Sequence, residues 1–189
     1  MVLQHGTAGR LCIDLGALVA NYQLIAQHVA PATVAGVVKA DAYGLGAVPV
    51  SAALYAAGCR HFFVAHLCEA AILKPHLPID TTLYILNGLP LGAEGDCVAV
   101  GAVPVLNSLE QIDSRAALAR TMGRPLPGVI QIDSGMGRLG LTPDELAILR
   151  ISPERLDGID LRLVMTHLAC ADDPDDGFNE RQRTAFDAI

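Results

Sequence analysis

The chemistry open to this chain centres on one lysine. Lys39 ends the apolar pair Val37-Val38 and runs directly into Ala40-Asp41-Ala42-Tyr43-Gly44-Leu45-Gly46. The β-branched valines favour a strand and the two glycines a tight turn, so the amine sits where a strand gives way to a loop. An ordinary lysine is protonated at neutral pH and is no nucleophile. An apolar pocket depresses its pKa and frees it for Schiff-base chemistry with a carbonyl. The glycine turn would also set backbone N–H groups close to an anion. On spacing alone, a lysine that snorkels from a strand end into water fits the same residues.

Three other side chains invite a chemical reading, each with an ordinary alternative. Tyr43 lies four residues past Lys39, where its hydroxyl could meet an anion or its ring could simply pack under the loop. Arg138 follows the glycine-rich run Gly135-Met136-Gly137, and its guanidinium suits paired hydrogen bonds to a carboxylate; a surface arginine fits too. His167 closes an apolar run and is either a ring that stacks on a ligand or a half-buried histidine. His61 and His66 lack partners at metal-ligand spacing and read as structural. Asp172, Asp173, Asp175 and Asp176 surround Pro174 and read as a solvated turn, so no metal is expected.

As written, VVKADAYGLGA resembles the pyridoxal-phosphate attachment segment of the alanine racemases, matching at the lysine, alanine, aspartate, tyrosine and both glycines. Two further blocks are similar to that family in the expected order: Ile132-Asp133-Ser134-Gly135-Met136-Gly137-Arg138-Leu139-Gly140, and Met165-Thr166-His167-Leu168-Ala169 with Ala171-Asp172. The resemblance implies an enzyme that uses pyridoxal 5'-phosphate to interconvert L- and D-alanine for bacterial cell-wall peptide. It implies that Lys39 carries the cofactor and acts as one of two bases, and that Tyr43 reaches the phosphate. Arg138 would hold the cofactor's phenolic oxygen or the substrate carboxylate, and His167 would lie against the pyridine ring. The family's second acid is a tyrosine in a β-rich C-terminal domain, contributed by the other subunit of a homodimer; no residue here corresponds to it. One position departs from the family. Where many members carry a carbamylated lysine that holds the arginine, this chain has Gln131, an amide that can hydrogen-bond to Arg138 but supplies no charge.

Composition narrows the classes. With 189 residues, 52% hydrophobic and 17% charged, the chain suits one unit with a sizeable core. Mean hydropathy is +0.40, yet Ser51, Gly58, Arg60 and His61 interrupt the richest stretch. Strands buried on both faces account for that excess better than a membrane span. A net charge of −7 with scattered lysine and arginine argues against a nucleic-acid surface. Cys12, Cys59, Cys68, Cys97 and Cys170 include no C-x-x-C pair, which points to buried free thiols rather than disulfides or zinc. Met1 to Arg10 lacks the basic start and apolar middle of a secretory leader, so a cytoplasmic protein is expected.

The elements must place these groups together. The pattern predicts a helix from Asp14 to Pro31, with Leu15, Leu18, Val19, Tyr22, Ile25 and Val29 on one face. It then predicts a strand over Val34–Ala40 and a helix over Val48–Ala57 that Gly58 ends. Strands follow at His61–Ala65, Thr82–Leu86, Val103–Leu106, Gly128–Ile132 and Leu161–Thr166, with Cys97–Val100 as part of an interrupted strand or a separate one. Helices are expected over Glu69–Lys74, Leu109–Met122, Thr142–Arg150 and Phe178–Ile189. Apolar strands alternating with helices specify parallel β/α units. An open sheet or a barrel could result, and a barrel would collect Lys39, Arg138 and His167 at one mouth. A whole (β/α)8 barrel needs about 250 residues, so residues 1–189 are expected to form a TIM-type barrel truncated to about six units. Beside the racemase reading, a non-catalytic pyridoxal-phosphate carrier and an inactive barrel fragment needing a complementing chain remain open.

Overall fold

The computed structural model describes residues 11–189. Six strands form one parallel sheet in sequential order: β1 Gly36–Val37, β2 His61–Val64, β3 Thr82–Ile85, β4 Val103–Leu106, β5 Leu126–Gln131 and β6 Ile159–Met165. After α1 (Leu15–His28), each strand is followed by one helix: α2 Ala47–Ala56, α3 Leu67–Leu73, α4 Glu94–Val100, α5 Leu109–Met122, α6 Pro143–Ile151 and α7 Gly177–Asp187. Parallel neighbours require such crossovers, because a tight hairpin cannot join them. The result is an α/β fold of six β/α units of a TIM-type barrel.

Strand alternation builds two apolar layers. Tyr84, Val103, Val105 and Val129 pack with Phe63, Leu86, Leu163 and Met165. That cluster draws on β2 to β6 and on no helix, so it fills the concave side of the sheet. The opposite side chains, Phe62, Val64, Leu83 and Ile85, pack with Val50 and Leu54 of α2 and Ala70 and Leu73 of α3. A second outer cluster joins Leu106, Ile130 and Ile132 to Ile112 of α5 and Leu149 of α6. Arg115 of α5 is wholly buried, and its Nε and Nη2 donate to the Pro127 carbonyl at 3.3 and 2.9 Å.

The helix ends follow local chemistry. Ser108 Oγ accepts from the Gln111 N–H at 3.3 Å, and Thr142 Oγ1 from Glu145 N–H at 3.2 Å, as side-chain caps do. Gly101 and Gly123 end α4 and α5 in the left-handed conformation. Several expectations need correction. Cys97–Val100 is the last turn of α4, not strand: Glu94 and Asp96 occupy its first turn and Gly101 caps it, so tertiary packing overrides the Val-Ala-Val propensity. The predicted Val34–Ala40 strand shrinks to Gly36–Val37, because the backbone coils at Lys39. On α1 only Leu15, Leu18 and Tyr22 reach the core, whereas Ile25 and Val29 stay exposed. Cys59 and Cys97 are buried, Cys170 is half-buried, and Cys12 and Cys68 are exposed; burial pushes the Cys97 thiol up to about 11.

Among the described residues no helix is long and apolar enough to cross a membrane. Phe62 is fully buried between the sheet and α2. Phe62→Ala should cost about 3–5 kcal/mol through lost transfer energy and the cavity left behind, read as a lowered denaturant midpoint at an unchanged slope.

Candidate active site

The loops after β1, β2, β3, β5 and β6 enclose a cleft of about 410 Å³ lined by Lys39, Ala65, Leu86, Asn87, Gln131, Arg138, Leu139 and His167. Lys39 follows β1 and His167 follows β6, the two edges of the sheet. In a flat sheet five strand spacings of about 4.8 Å would hold them roughly 24 Å apart. Their presence in one cleft therefore requires the sheet to curl, as a barrel does. The structure brings Lys39, Arg138 and His167 together as expected. Tyr43 is outside the cleft lining, 65% exposed, with the Lys39 Nζ 5.9 Å from its ring centre.

Lys39 sits on an unusual piece of backbone. Ala40, Asp41, Ala42 and Tyr43 all have φ between 51° and 55°, a left-handed turn closed by bonds such as Ala42 N–H to the Val38 carbonyl at 3.0 Å. Left-handed helix costs an L-residue about 1–2 kcal/mol, so four in succession must be held by their surroundings. Three features hold them. Ala42 is buried. The Asp41 carboxylate accepts the Ala47 N–H that opens α2 at 2.6 Å. Glu69 on α3 accepts the Ala40 N–H at 2.6 Å, while its other oxygen accepts from Ala65 and His66 at 2.7 and 2.9 Å.

The loop after β5 carries Arg138. Leu141 returns to the strand, its N–H donating to the Gln131 carbonyl at 2.8 Å, and the Asp133 carboxylate accepts from Gly135 and Gly137 at 2.9 and 3.0 Å. Gly140, at φ +109°, passes so near that an added Cβ would lie 2.7 Å from Asp133 N. Arg138 is solvent-exposed and has no carboxylate partner among the described residues. Gln131 does not bond to it there either: its amide donates to the Leu139 carbonyl at 3.1 Å, bracing the loop rather than the guanidinium.

Gln182 of α7 is the residue sequence reasoning missed most plainly. It is fully buried. Its amide nitrogen donates to Ser134 Oγ at 3.1 Å and to the His167 carbonyl at 3.0 Å, and its oxygen accepts from Ala169 N–H at 2.8 Å. One side chain thus ties the Arg138 loop to the His167 loop. No local motif announces such a role. Asn87, also missed, lines the cleft and contacts His66 Nε2 at 3.3 Å.

The electrostatics favour an anion. Although the chain is acidic overall, two cationic side chains, Lys39 and Arg138, converge on the cleft beside His167. Partial burial of the ring, then the charges of Arg138 and Lys39, hold the His167 imidazole below its ordinary value, so the ring is neutral at pH 7 and able to lie against an aromatic ligand. Leu86 and Leu139 give the cleft apolar walls. Among the described residues no His, Cys, Asp or Glu cluster could hold a metal ion.

The family model "Alanine racemase, N-terminal domain" matches residues 13–189. The alanine racemase of Brucella abortus (strain 2308) is 51% identical over 181 residues, covering 96% of this chain and 46% of that protein. A relative named "Alanine racemase, catabolic" from Agrobacterium fabrum is 52% identical over 177 residues, covering 94% of the chain and 46% of its own length. The crystal structure of alanine racemase from Bartonella henselae with covalently bound pyridoxal phosphate superposes with a TM-score of 0.90 at 42% identity, over 93% of this chain and 49% of that one. The chain thus spans about half the length of the curated relatives it matches.

Two outcomes follow from this geometry. Gln182→Ala empties a buried site and strands the part-buried His167 carbonyl and Ala169 N–H, so a loss of about 1–3 kcal/mol is expected, measured by thermal unfolding. Arg138→Gln removes a positive neighbour of His167, so the NMR titration midpoint of that imidazole should rise; an unchanged midpoint would place the guanidinium out of its reach.

Proposed function

Because this chain belongs to the family of alanine racemase N-terminal domains, we propose that it is the cofactor-bearing half of an alanine racemase, with Lys39 as the residue that holds pyridoxal 5'-phosphate. The observation that carries the proposal is the cleft itself: an amine on a fixed turn, a guanidinium with no carboxylate partner among the described residues, a neutral imidazole and two leucines within one cavity of about 410 Å³. That donor set fits the cofactor, with an amine for its aldehyde, basic groups for its anionic oxygens and a flat ring with leucines for its pyridine. When bound, pyridoxal phosphate supplies the electron sink that makes removal of an amino acid's Cα proton feasible.

The chain's own residues do the rest. The Lys39 amine takes or returns the Cα proton on one face, as a positioned general base does. Tyr43, on the rim beside Lys39, lends its hydroxyl to the phosphate. Arg138 holds the phenolic oxygen or the substrate carboxylate by paired hydrogen bonds, and Gln131, unlike a carbamylated lysine, braces its loop without adding charge. Inversion also needs an acid on the opposite face. In this reading it comes from the other subunit of a cytoplasmic homodimer, in a domain outside residues 1–189. D-alanine for cell-wall peptide is the product use we favour. The relative named catabolic supports a second, in which the same reaction serves the breakdown of alanine.

The proposal predicts that proton exchange and inversion separate. Incubated with pyridoxal phosphate and each enantiomer of alanine in D2O, the chain should exchange the α-proton of one enantiomer faster than it inverts the centre, followed by proton NMR and chiral chromatography. Lys39→Ala should abolish the exchange. Inversion at the rate of a complete two-domain racemase would contradict the missing second acid, and exchange surviving in Lys39→Ala would remove Lys39 from its role.

A further inference from the structure

We infer that Glu69 is a positioning residue that aims the Lys39 amine into the cleft, an inference that rests on the cofactor reading above. Capping α3 needs only the bonds from Glu69 Oε2 to the Ala65 and His66 N–H groups, which lie within four residues of it. The other oxygen is given to the Ala40 N–H, 29 residues distant in sequence and adjacent to Lys39. One carboxylate therefore joins the backbone on either side of the cleft, since Ala65 and Lys39 both line it.

Packing does not replace this tie. On the far side of the left-handed turn is a second cavity, of about 320 Å³, lined by Val38, Asp41, Val64, Glu69, Ile72 and Leu73. With the Ala40 bond broken, the strained turn has room to relax into that space, and the lysine stem moves with it. Glu69 has both oxygens occupied by backbone donors and is absent from the cleft lining, so it acts through Lys39 rather than on a ligand.

Shortening the side chain separates the two roles. Glu69→Asp keeps a carboxylate within reach of its own helix start but is one methylene too short to span to Ala40. In the 189-residue chain, we expect it to retain a melting temperature close to the unaltered protein's. It should bind pyridoxal phosphate tenfold to a hundredfold more weakly, roughly the effect of misplacing a reacting group by about 1 Å. Formation of the visible absorption band of the lysine-linked cofactor should slow in proportion. If Glu69→Asp also melts early, the comparison is with Ile112→Ala, a core variant of α5 remote from the turn. Weaker cofactor binding than in that variant at matched stability supports the role, and equal binding overturns it. Unchanged affinity and band formation in a stable Glu69→Asp also overturn it. Should the unaltered chain itself form no lysine-linked band, the cofactor reading falls and takes this inference with it.

Discussion

Everything at the cleft depends on how far six parallel strands bend. Lys39 and His167 are delivered by the first and last strands of a sequentially ordered sheet, and only curvature puts them in one cavity. The concave layer of Tyr84, Val103, Val105 and Val129 fills the inside of that curve, while two helix-backed clusters support the outside. Right-handed strand twist makes such curling the natural course for consecutive β/α units. A site assembled from distant loops then costs no special fold element.

Curvature brings the loops close, and polar ties fix them. Each tie engages backbone groups that would otherwise be unpaired, so it serves stability and geometry together. Glu69 links the lysine turn to the end of β2. Asp133 folds the glycine-rich loop on itself. Gln182 reaches from the last helix to both loops that carry basic side chains. The strained left-handed turn is tolerated because of this support. It fits a general pattern in which unfavourable backbone is concentrated where a side chain must be held still.

What could be read from sequence alone divides along a physical line. Local signals were reliable: Ser108 and Thr142 as caps, Gly58 and Gly123 as the residues beyond helix ends, and the apolar strands of a parallel sheet. The strand ends of a barrel also predicted that Lys39, Arg138 and His167 would share a mouth. Failures occurred where tertiary contacts decide. Val98-Ala99-Val100 has strand-like residues but ends a helix, and the Val34–Ala40 run breaks early because Ala40 coils to the left, which no propensity for alanine or tyrosine foretells. Gln182 and Glu69 were invisible as site residues because their partners are 13 to 48 residues away for Gln182 and, for Ala40, 29 for Glu69. Gln131 was expected beside Arg138, and its amide turned instead to a carbonyl within its own loop.

The account stands on a covalent bond between one nitrogen and a vitamin B6 aldehyde. Reduction with borohydride in the presence of pyridoxal phosphate, followed by digestion and mass spectrometry, reads that bond directly. A single modified peptide carrying the added mass on Lys39 is the result the account requires. Modification of Lys74, the chain's one other lysine, or of any other residue in place of Lys39, would contradict it.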